Sequence, residues 1–358
     1  MLFSLSSSPL APTLLLLLLS VPLLFLVAPR LLPPRPSPIS LPDELDDLSL
    51  FRRAAPDSPS SSSSPPLPSA KSRLGSTNPS PKIAFLFLTN SPLAFSPLWQ
   101  IFFSNASSPL LYNIYVHADP AVPVPIHPPF TANHFIPSKR TERSSPTLIS
   151  AARRLLANAL LDDRHNAFFA LISQHCIPLH SFAYLRKTLF HRSIDHLDYR
   201  SFIEIESNVT FMSNRYNARG EGVMLPEVPF NRFKMGSQFF VLTRRHAVAV
   251  VRDRRLWRKF RLPCIRDRDS CYPEEHYFPT LLSMEDPGGC TGYTLTRVNW
   301  TGMVGGHPHT YGAGEVSPEL IYKLRESKFS QHYLFARKFA PDCLDPLLNI
   351  SDSVIFRD

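Results

Sequence analysis

Two patterns of hydrophobic residues alternate along the greater part of this chain. Short apolar runs at 82–88 and 167–172, and a stretch at 111–119 that ends in polar residues, are typical of buried strands of a parallel sheet. Over 146–161, apolar residues recur at helical spacing behind Ser145, which suits a helix N-cap. The same reasoning predicts helices over 98–103 and 181–190, and strands over 201–206 and 238–243. Strands that alternate with helices predict an α/β fold with a mainly parallel central sheet.

The first 81 residues differ in composition from the rest, because they hold 16 of the 37 prolines and a serine-rich stretch at 58–64. After a short tail at 1–10, residues 11–28 carry no charge and reach the lower limit of length for a membrane-spanning helix. This run is either an uncleaved signal anchor or a cleaved signal peptide. Pro29 is unfavourable next to a cleavage site, so we favour the anchor. Residues 29–81 predict an extended, disordered stem that buries no core.

The direction in which the chain crosses the membrane has two opposing indications. Arg30 and Arg35 follow the apolar run and no Lys or Arg precedes it, which by itself would keep the following chain cytoplasmic. Four N-glycosylation sequons lie downstream, at Asn105, Asn208, Asn299 and Asn349. Large translocated domains follow flanking charge poorly. We therefore expect a single-pass type II glycoprotein whose main domain is lumenal.

Charge and cysteine content indicate which binding partners and how many disulfides to expect. The net charge of +9 is concentrated at 244–268, and charge alone would allow nucleic-acid binding. The predicted lumenal location argues against a nucleic-acid partner, which leaves a solvated helix face or a basic rim around an anionic ligand. The five cysteines suit one or two disulfides and a free thiol, with pairing that spacing does not reveal: Cys176, Cys264, Cys271, Cys290 and Cys343.

Polar residues follow the predicted strands where each strand ends. They are Thr89, the stretch from His117 to Asp119, and residues 173–175. Ligands of parallel α/β sheets bind at the carboxyl ends of the strands, so these residues predict a binding edge. The chain has no phosphate-binding glycine motif such as GxGxxG or a P-loop.

An acidic pair, Glu274 and Glu275, follows Pro273 and precedes an aromatic run. Proline suits the first position of a helix, and acids in a first turn complement the helix dipole. Such a pair is either an ordinary acidic helix start or a carboxylate aimed at a hydroxyl proton, as a general base must be.

Four segments in this order decide between these alternatives: RYNARGEGVMLPEVP from Arg215, FKMGSQFFVLTRR from Phe233, PEEHYFPT from Pro273 and LFARKFAP from Leu334. Together they resemble the Core-2/I-branching glycosyltransferase family, glycosyltransferase family 14, and most closely its plant, brittle-culm-like branch. The resemblance runs from about residue 82 to 341. It implies a GT-A-like domain, which we place at 82–345 before a C-terminal tail at 346–358, and a location in the Golgi membrane.

The resemblance also implies the reaction: inverting transfer of a sugar of the N-acetylglucosamine type from a UDP-sugar to a glycan or glycoprotein hydroxyl. Glu275 matches the base, and its pKa is expected to be raised by Tyr277 and Phe278. Lys338 matches a cation that binds the diphosphate. His309 stands where an Arg is expected, and Arg337 is a candidate to compensate for it.

Other residues are assigned by their positions in the family pattern. Thr89, His117 and Asp119 are expected to approach the uridine, whereas the acceptor sugar is assigned to three residues: Glu206, Arg215 and Trp300. In the stretch Arg-Ser-Ser-Pro at 143–146 the chain departs from the family, whose members usually carry a Trp-Gly-type pair there. This departure bears on the wall of the donor pocket.

No cofactor and no metal are expected. Asp267-Arg-Asp269 is the one literal Asp-x-Asp, but it lies among basic residues and not behind an apolar strand. Two alternatives to a transferase stay open: an inactive, carbohydrate-binding or scaffold relative on the same fold, which the change at His309 motivates, and a membrane-tethered protein of another class whose charged motifs are surface.

Overall fold

The computed structural model describes residues 44–56, 80–190, 199–207, 209–302 and 306–358. The predicted N-terminal tail, the predicted anchor at 11–28 and most of the predicted stem lie outside these ranges. The helices, numbered in chain order, are α1 (Asp47–Ala54), α2 (Ser96–Ser104), α3 (Pro146–Asp162), α4 (Phe182–Phe190), α5 (Met212–Asn217), α6 (Arg244–Arg252), α7 (Trp257–Phe260), α8 (Pro273–Glu285), α9 (Pro318–Arg325) and α10 (Leu344–Asn349). The strands are β1 (Lys82–Thr89), β2 (Tyr112–Ala118), β3 (Asn166–Ser173), β4 (Ile177–Pro178), β5 (Ser201–Glu204), β6 (Val241–Thr243), β7 (Cys290–Gly292), β8 (Thr296–Val298) and β9 (Phe335–Arg337).

The central sheet of the described chain has six strands in the order β2-β1-β3-β6-β5-β7. β1 pairs in parallel with β2 and β3, and β5 pairs in parallel with β7. β6 is antiparallel to both β3 and β5, so it alone runs against the others. This confirms the predicted α/β class with a mainly parallel sheet.

The two faces of the sheet bury separate cores, because successive residues of a strand point to opposite sides. Ala84 and Leu86 of β1 belong to a core that α3, α6 and α8 cover. Phe85 and Phe87 belong to the opposite core, which packs against α2 and α4. β1 and β3 are thus apolar throughout, as the unbroken runs in the sequence indicated.

Helix α3 shows how closely local sequence set the elements. It begins at Pro146, and the side chain of Ser145 accepts a hydrogen bond from the backbone N–H of Thr147, as a helix N-cap does. The predicted helix and its cap are confirmed. α3 is buried on most sides because α1, α6 and α8 all pack against it.

The interpretation of 29–81 as an extended stem is wrong for residues 44–56. These residues form α1, and Phe51 and Ala55 are buried in the core beside α3. Asp47, 3% exposed, receives two bonds from Arg154 of α3, Nε to Oδ1 at 2.6 Å and Nη2 to Oδ2 at 2.7 Å. A proline-rich composition concealed a short amphipathic segment that is stable only against its partner helix.

The predicted C-terminal tail at 346–358 is likewise part of the domain. Leu347, Val354 and Ile355 are buried, and a π-helical turn follows α10 at Ser351–Ile355. The carboxylate of Asp358 lies 2.7 Å from Nδ1 of His180 and accepts the backbone N–H of Ser181 at 2.7 Å. Among the described helices, none has the length and apolar character needed to cross a bilayer.

A second sheet of three strands, in the order β4-β9-β8, lies beyond the end of β3. β4 follows β3 closely in sequence and pairs antiparallel with β9. The backbone N–H of Phe339 donates to the carbonyl of His175 at 3.2 Å. This arrangement brings Arg337 and Lys338, at the end of β9, to the carboxyl end of β3.

Candidate active site

The carboxyl ends of the central strands converge, as the sequence predicted. The backbone N–H of Asp119, after β2, donates to the carbonyl of Thr89 at 2.9 Å. Gln174, after β3, donates to Asn90 Oδ1 at 2.8 Å. Burial and then the charge of Lys338 lower the pKa of His175. One edge of the sheet therefore collects polar side chains from β1, β2, β3 and β9.

Thr89, His117 and Asp119 lie together here; the polar atoms of Thr89 and Asp119 hold local structure, whereas the buried Nδ1 of His117 has no hydrogen-bond partner in the described chain. The Thr89 hydroxyl donates to the Ser91 carbonyl, and Asp119 accepts from the N–H groups of Ala121 and Thr141 at 2.8 and 2.7 Å. Burial and then Arg154 lower the pKa of His117 to about 4, so its ring is neutral. Their assignment to uridine stays a prediction.

Helix α8 begins as predicted, with Pro273 at its first position, and separates the two carboxylates. Tyr272 precedes it in the left-handed region, at φ 42°. Glu274 turns inward and is 4% exposed, whereas the side chain of Glu275 is 26% exposed. Gly236 N–H donates to the Glu275 carbonyl at 2.9 Å. A Cβ on Gly236 would lie 2.0 Å from the Glu204 carbonyl oxygen, so only glycine fits between β5 and α8.

Arg215 of α5 binds Glu275 directly. Its Nη1 donates to Glu275 Oε2 at 2.9 Å and lies 3.4 Å from Nε2 of His276. His276 Nδ1 lies 2.8 Å from the Lys234 carbonyl, which can only accept, so Nδ1 carries the proton and Nε2 faces Arg215 as an acceptor. Burial lowers the pKa of His276 to about 3, which keeps this ring neutral.

The environment of the acidic side chains raises their pKa values. Burial raises the pKa of Glu275, while the charges of Arg215, Arg337 and Arg143 act to lower it. Burial, followed by the charge of Glu275, raises the pKa of Glu274 to about 8. Burial and then Glu206 raise the pKa of Glu204 to about 7. A partly exposed carboxylate bonded to an arginine thus lies beside a buried one whose pKa is well above its ordinary value.

The expected source of the raised pKa of Glu275 was Tyr277 and Phe278, and the structure places both elsewhere. The Tyr277 hydroxyl donates to Asp253 at 3.0 Å, and Phe278 packs on Phe240 with ring centroids 5.0 Å apart. The aromatic rings beside Arg215 are those of Phe211 and Tyr272, with the guanidinium carbon 4.2 and 4.9 Å from their centroids.

Near Glu275 lies a group of cations, two of which, Arg337 and Arg143, act on its pKa. We call this group the basic wall: Arg143, Arg337 and Lys338. No carboxylate within the described ranges lies within 4.0 Å of these three side chains. Burial, Arg337 and Arg143 all lower the pKa of Lys338. The Arg337 guanidinium carbon lies 4.4 Å from the ring centroid of Phe239, and its buried Nε has no hydrogen-bond partner in the described chain. Unpaired cations that repel one another provide a site for an anion.

His309 and Trp300 are not brought into this group. His309 Nε2 lies 2.8 Å from Glu315 Oε1, and its ring packs on Tyr311. His307, in the same segment, lies near the basic wall, and its pKa is lowered by burial and then by Arg143, Lys338 and Arg337. Trp300 is 50% exposed, and no described hydrogen bond or ring contact joins it to Glu275 or Arg215.

Other predicted features have clear places. Asp267 and Asp269 lie in an exposed turn and not at a strand end. Within the described ranges, no cluster of three or more His, Cys, Asp or Glu is arranged to hold a metal ion. Cys264 and Cys271 form a disulfide just before Tyr272, and the other three cysteines are buried thiols: Cys176, Cys290 and Cys343.

Sequence reasoning missed several residues of the site. Glu204 lies within a predicted strand and Arg143 stands at the noted departure from the family pattern, so each had a weak signal. Tyr272, His276 and His307 had none, because their roles depend on contacts with residues distant in sequence, such as the bond from Arg143 to the Tyr272 hydroxyl.

Two comparisons with known proteins identify the family of this chain. Residues 83–325 match the family described as Core-2/I-Branching enzyme. The chain is 28% identical over 321 residues to the protein named Glycosyltransferase BC10 of Oryza sativa subsp. japonica, which covers 75% of this chain and 76% of that protein. The fold and these matches define a glycosyltransferase. The chain belongs to the Core-2/I-branching enzyme family, which confirms the resemblance seen in the sequence.

Proposed function

We propose that this protein is an inverting glycosyltransferase that uses a UDP-sugar and transfers a sugar of the N-acetylglucosamine type to a glycan hydroxyl. The observation that supports the proposal is the bond from Arg215 to Glu275 close to the basic wall. Arg215, Arg337 and Arg143 all act to lower the pKa of this carboxylate, so it lies near those cations. A candidate base is thus close to a candidate anion site.

Glu275 is assigned as the base that deprotonates the acceptor hydroxyl. The acceptor oxygen attacks the anomeric carbon from the face opposite the nucleotide, so one displacement inverts the configuration, by the logic that governs inverting hydrolysis. Arg215 keeps Glu275 ionised and aims it through the 2.9 Å bond. Glu204 and Glu206, which lie near Glu275, are assigned to hydroxyls of the acceptor.

Lys338 and Arg337 are assigned to the diphosphate. As the bond to the anomeric carbon breaks, its electron pair passes to a phosphate oxygen, and fixed cations stabilise the charge that develops there. The burial and mutual repulsion that lower the pKa of Lys338 are relieved when an anion enters. We propose on this basis that transfer needs no metal ion.

Turnover of a panel of UDP-sugars by the wild-type protein and by Glu275→Gln tests the proposal. The variant should lose roughly 10²–10⁴ in turnover, the usual contribution of a general base, and should keep its affinity for UDP. Glu221→Gln removes an exposed carboxylate and should behave as wild type. A protein that binds sugars but turns over no donor, with or without Glu275, would be the inactive, carbohydrate-binding relative instead.

Chelation provides a separate test of the metal-free mechanism. Turnover should persist in EDTA, because the positive charge at the leaving group comes from side chains. Activity that disappears on chelation and returns with magnesium or manganese would show the mechanism to be wrong, and would leave the assignment of Glu275 untouched.

We propose that the protein is a type II glycoprotein of the Golgi membrane with this domain in the lumen. Asn105 and Asn349 are exposed, whereas Asn299 is half-buried and its Oδ1 accepts the Thr301 N–H at 3.0 Å. Asn208 lies outside the described residues. Endoglycosidase treatment of plant-expressed protein should increase its gel mobility, and Asn105→Gln and Asn349→Gln should each remove one step. Unchanged mobility on digestion would count against a lumenal location.

A further inference from the structure

Tyr272 lies between two arginines that reach it from different parts of the fold. Arg143 donates a hydrogen bond to its hydroxyl, and the Arg143 guanidinium carbon lies 5.2 Å from the ring centroid. Arg215, which binds Glu275, lies 4.9 Å from the same centroid. A single aromatic ring therefore links the proposed base to the basic wall.

The backbone around Arg143 is built to hold this contact. Ser144 and Tyr272 both have positive φ, 57° and 42°, a conformation that residues other than glycine seldom adopt. Ser144 Oγ donates to the Arg268 carbonyl at 2.8 Å and accepts the Tyr272 N–H at 2.9 Å. Such conformations cluster at functional sites, where the surrounding structure fixes them.

Gly306, just before His307, also leaves room for Tyr272 and Arg143. A Cβ on Gly306, at φ +72°, would lie 3.1 Å from the Tyr272 hydroxyl and 3.9 Å from Arg143 Nη2. Gly306 is therefore a point of close approach to Tyr272 and Arg143.

Arg143 has no anionic partner to account for its position. No carboxylate in the described ranges lies within 4.0 Å of its guanidinium, and its one hydrogen bond is to a neutral hydroxyl. Its charge instead acts on Lys338 and His307 and lowers the pKa of each. Holding cations together in this way is unfavourable unless an anion with more than one charge joins them.

We propose that Arg143 is a second cation of the diphosphate site, opposite Lys338, and that Tyr272 positions it. This inference rests on the proposed function. Arg143 would bind the diphosphate of the donor and stabilise the charge on UDP as the anomeric bond breaks, while the acceptor proton passes to Glu275. It would supply the guanidinium that the segment around His309 lacks.

Calorimetry with the full-length protein tests this with three probes: UDP, uridine and inorganic pyrophosphate. Arg143→Ala should weaken UDP binding by roughly 10- to 100-fold, the range for a lost hydrogen bond to a charged group. Pyrophosphate should compete less well with UDP, and uridine should bind as before. Arg143→Lys keeps a charge without the planar guanidinium, so its loss should be smaller. Tyr272→Phe keeps the aromatic ring, so its loss of UDP affinity should also be smaller than that of Arg143→Ala.

Arg258→Ala is the matched control, because it removes an arginine whose side chain is 67% exposed on the basic surface of the domain. If Arg143→Ala binds UDP as Arg258→Ala does, the inference is overturned. An equal loss for UDP and uridine would also overturn it, since the effect would then not concern phosphate. If Lys338→Ala loses UDP affinity and Arg143→Ala does not, the proposed function is retained and the role of Arg143 in it is excluded. A wild-type protein that binds no UDP would overturn the donor assignment itself, and with it the inference.

Discussion

Arg215 donates a hydrogen bond of 2.9 Å to Oε2 of Glu275 from a position lined by three rings. Its guanidinium lies over the rings of Phe211 and Tyr272, and its Nη1 lies 3.4 Å from the neutral nitrogen of His276. His276 in turn stacks on Phe233, with ring centroids 4.4 Å apart. The ionisation of Glu275 thus depends on an arginine whose own orientation is set by the core.

The first prediction concerns pH. Burial raises the pKa of Glu275 and Arg215 acts to lower it, so Arg215→Ala should let this pKa rise further. The base acts only when deprotonated, and activity is lost as pH falls through its pKa. The acid limb of kcat/KM should therefore move to higher pH, by about 1–3 units for a carboxylate that loses an arginine partner. Arg258→Ala is the control and should leave the acid limb where it is in the wild type. An acid limb that is also unmoved in Arg215→Ala would contradict this role of Arg215.

The second prediction concerns stability and Glu274. Its pKa of about 8 in the folded protein lies above the ordinary value of 4.5, so the folded state binds more protons than the unfolded state between these values. Stability should then fall as pH rises through this window. Glu274→Gln, a neutral isostere, should raise the free energy of unfolding at pH 8 by about 1–3 kcal/mol and change it little at pH 4.

Denaturant unfolding at both pH values measures this effect. Glu221→Gln, an exposed control, should show no difference between the two conditions. If Glu274→Gln lowers the free energy of unfolding equally at pH 4 and pH 8, the effect comes from lost packing or hydrogen bonding and not from the raised pKa of Glu274.

The third prediction concerns α1. Asp47 and Arg154 form a buried, two-bonded ion pair, with side chains 5% and 4% exposed. Asp47→Ala leaves Arg154 without this partner and should lower the free energy of unfolding by about 3–5 kcal/mol. Asp46→Ala is the control, because the neighbouring carboxylate is 90% exposed. Equal stability of the two variants would mean that α1 contributes little.

The stability of the isolated domain should depend on whether the expressed chain includes α1. A chain that begins at residue 75 lacks α1 and exposes the surface that Phe51 and Ala55 cover. It should unfold at a lower temperature than a chain that begins at residue 40. A thermal scan of the two chains, with identical C-termini, compares them directly.

The fourth prediction separates the two histidines of one segment. His309 is bonded to Glu315, so His309→Arg should form an ion pair there and leave UDP affinity unchanged. His307 is close enough to the basic wall for Lys338 to lower its pKa, so His307→Arg should tighten UDP binding. Calorimetry on both variants checks this. Tighter binding by His309→Arg alone would restore the role that the sequence suggested for His309.

Much of the fold follows from local sequence. The apolar runs at 82–88 and 167–172 are strands β1 and β3, and the polar residues behind them do meet at one edge. Ser145 caps α3 and Pro273 begins α8, because caps and first turns are fixed by contacts within a few residues. Glu275 and Lys338 could be selected because the segments around them match a family pattern.

Other features depended on contacts that no local pattern encodes. Residues 44–56 look like part of a stem until Asp47 meets Arg154, which is 107 positions away. Arg143 and Tyr272 are 129 positions apart, yet they share a hydrogen bond. His309 faces Glu315, while His307, in the same segment, lies near the cations.

The division has a physical reason. Hydrophobic periodicity and capping act over a few residues, so the sequence by itself determined where the chain forms strands and helices and which edge of the sheet is polar. The pairing of Arg215 with Glu275 and the gathering of Arg143, Arg337 and Lys338 arise when the sheet closes and distant segments pack. Only that tertiary packing decided which charges are matched and which stay unpaired for a ligand.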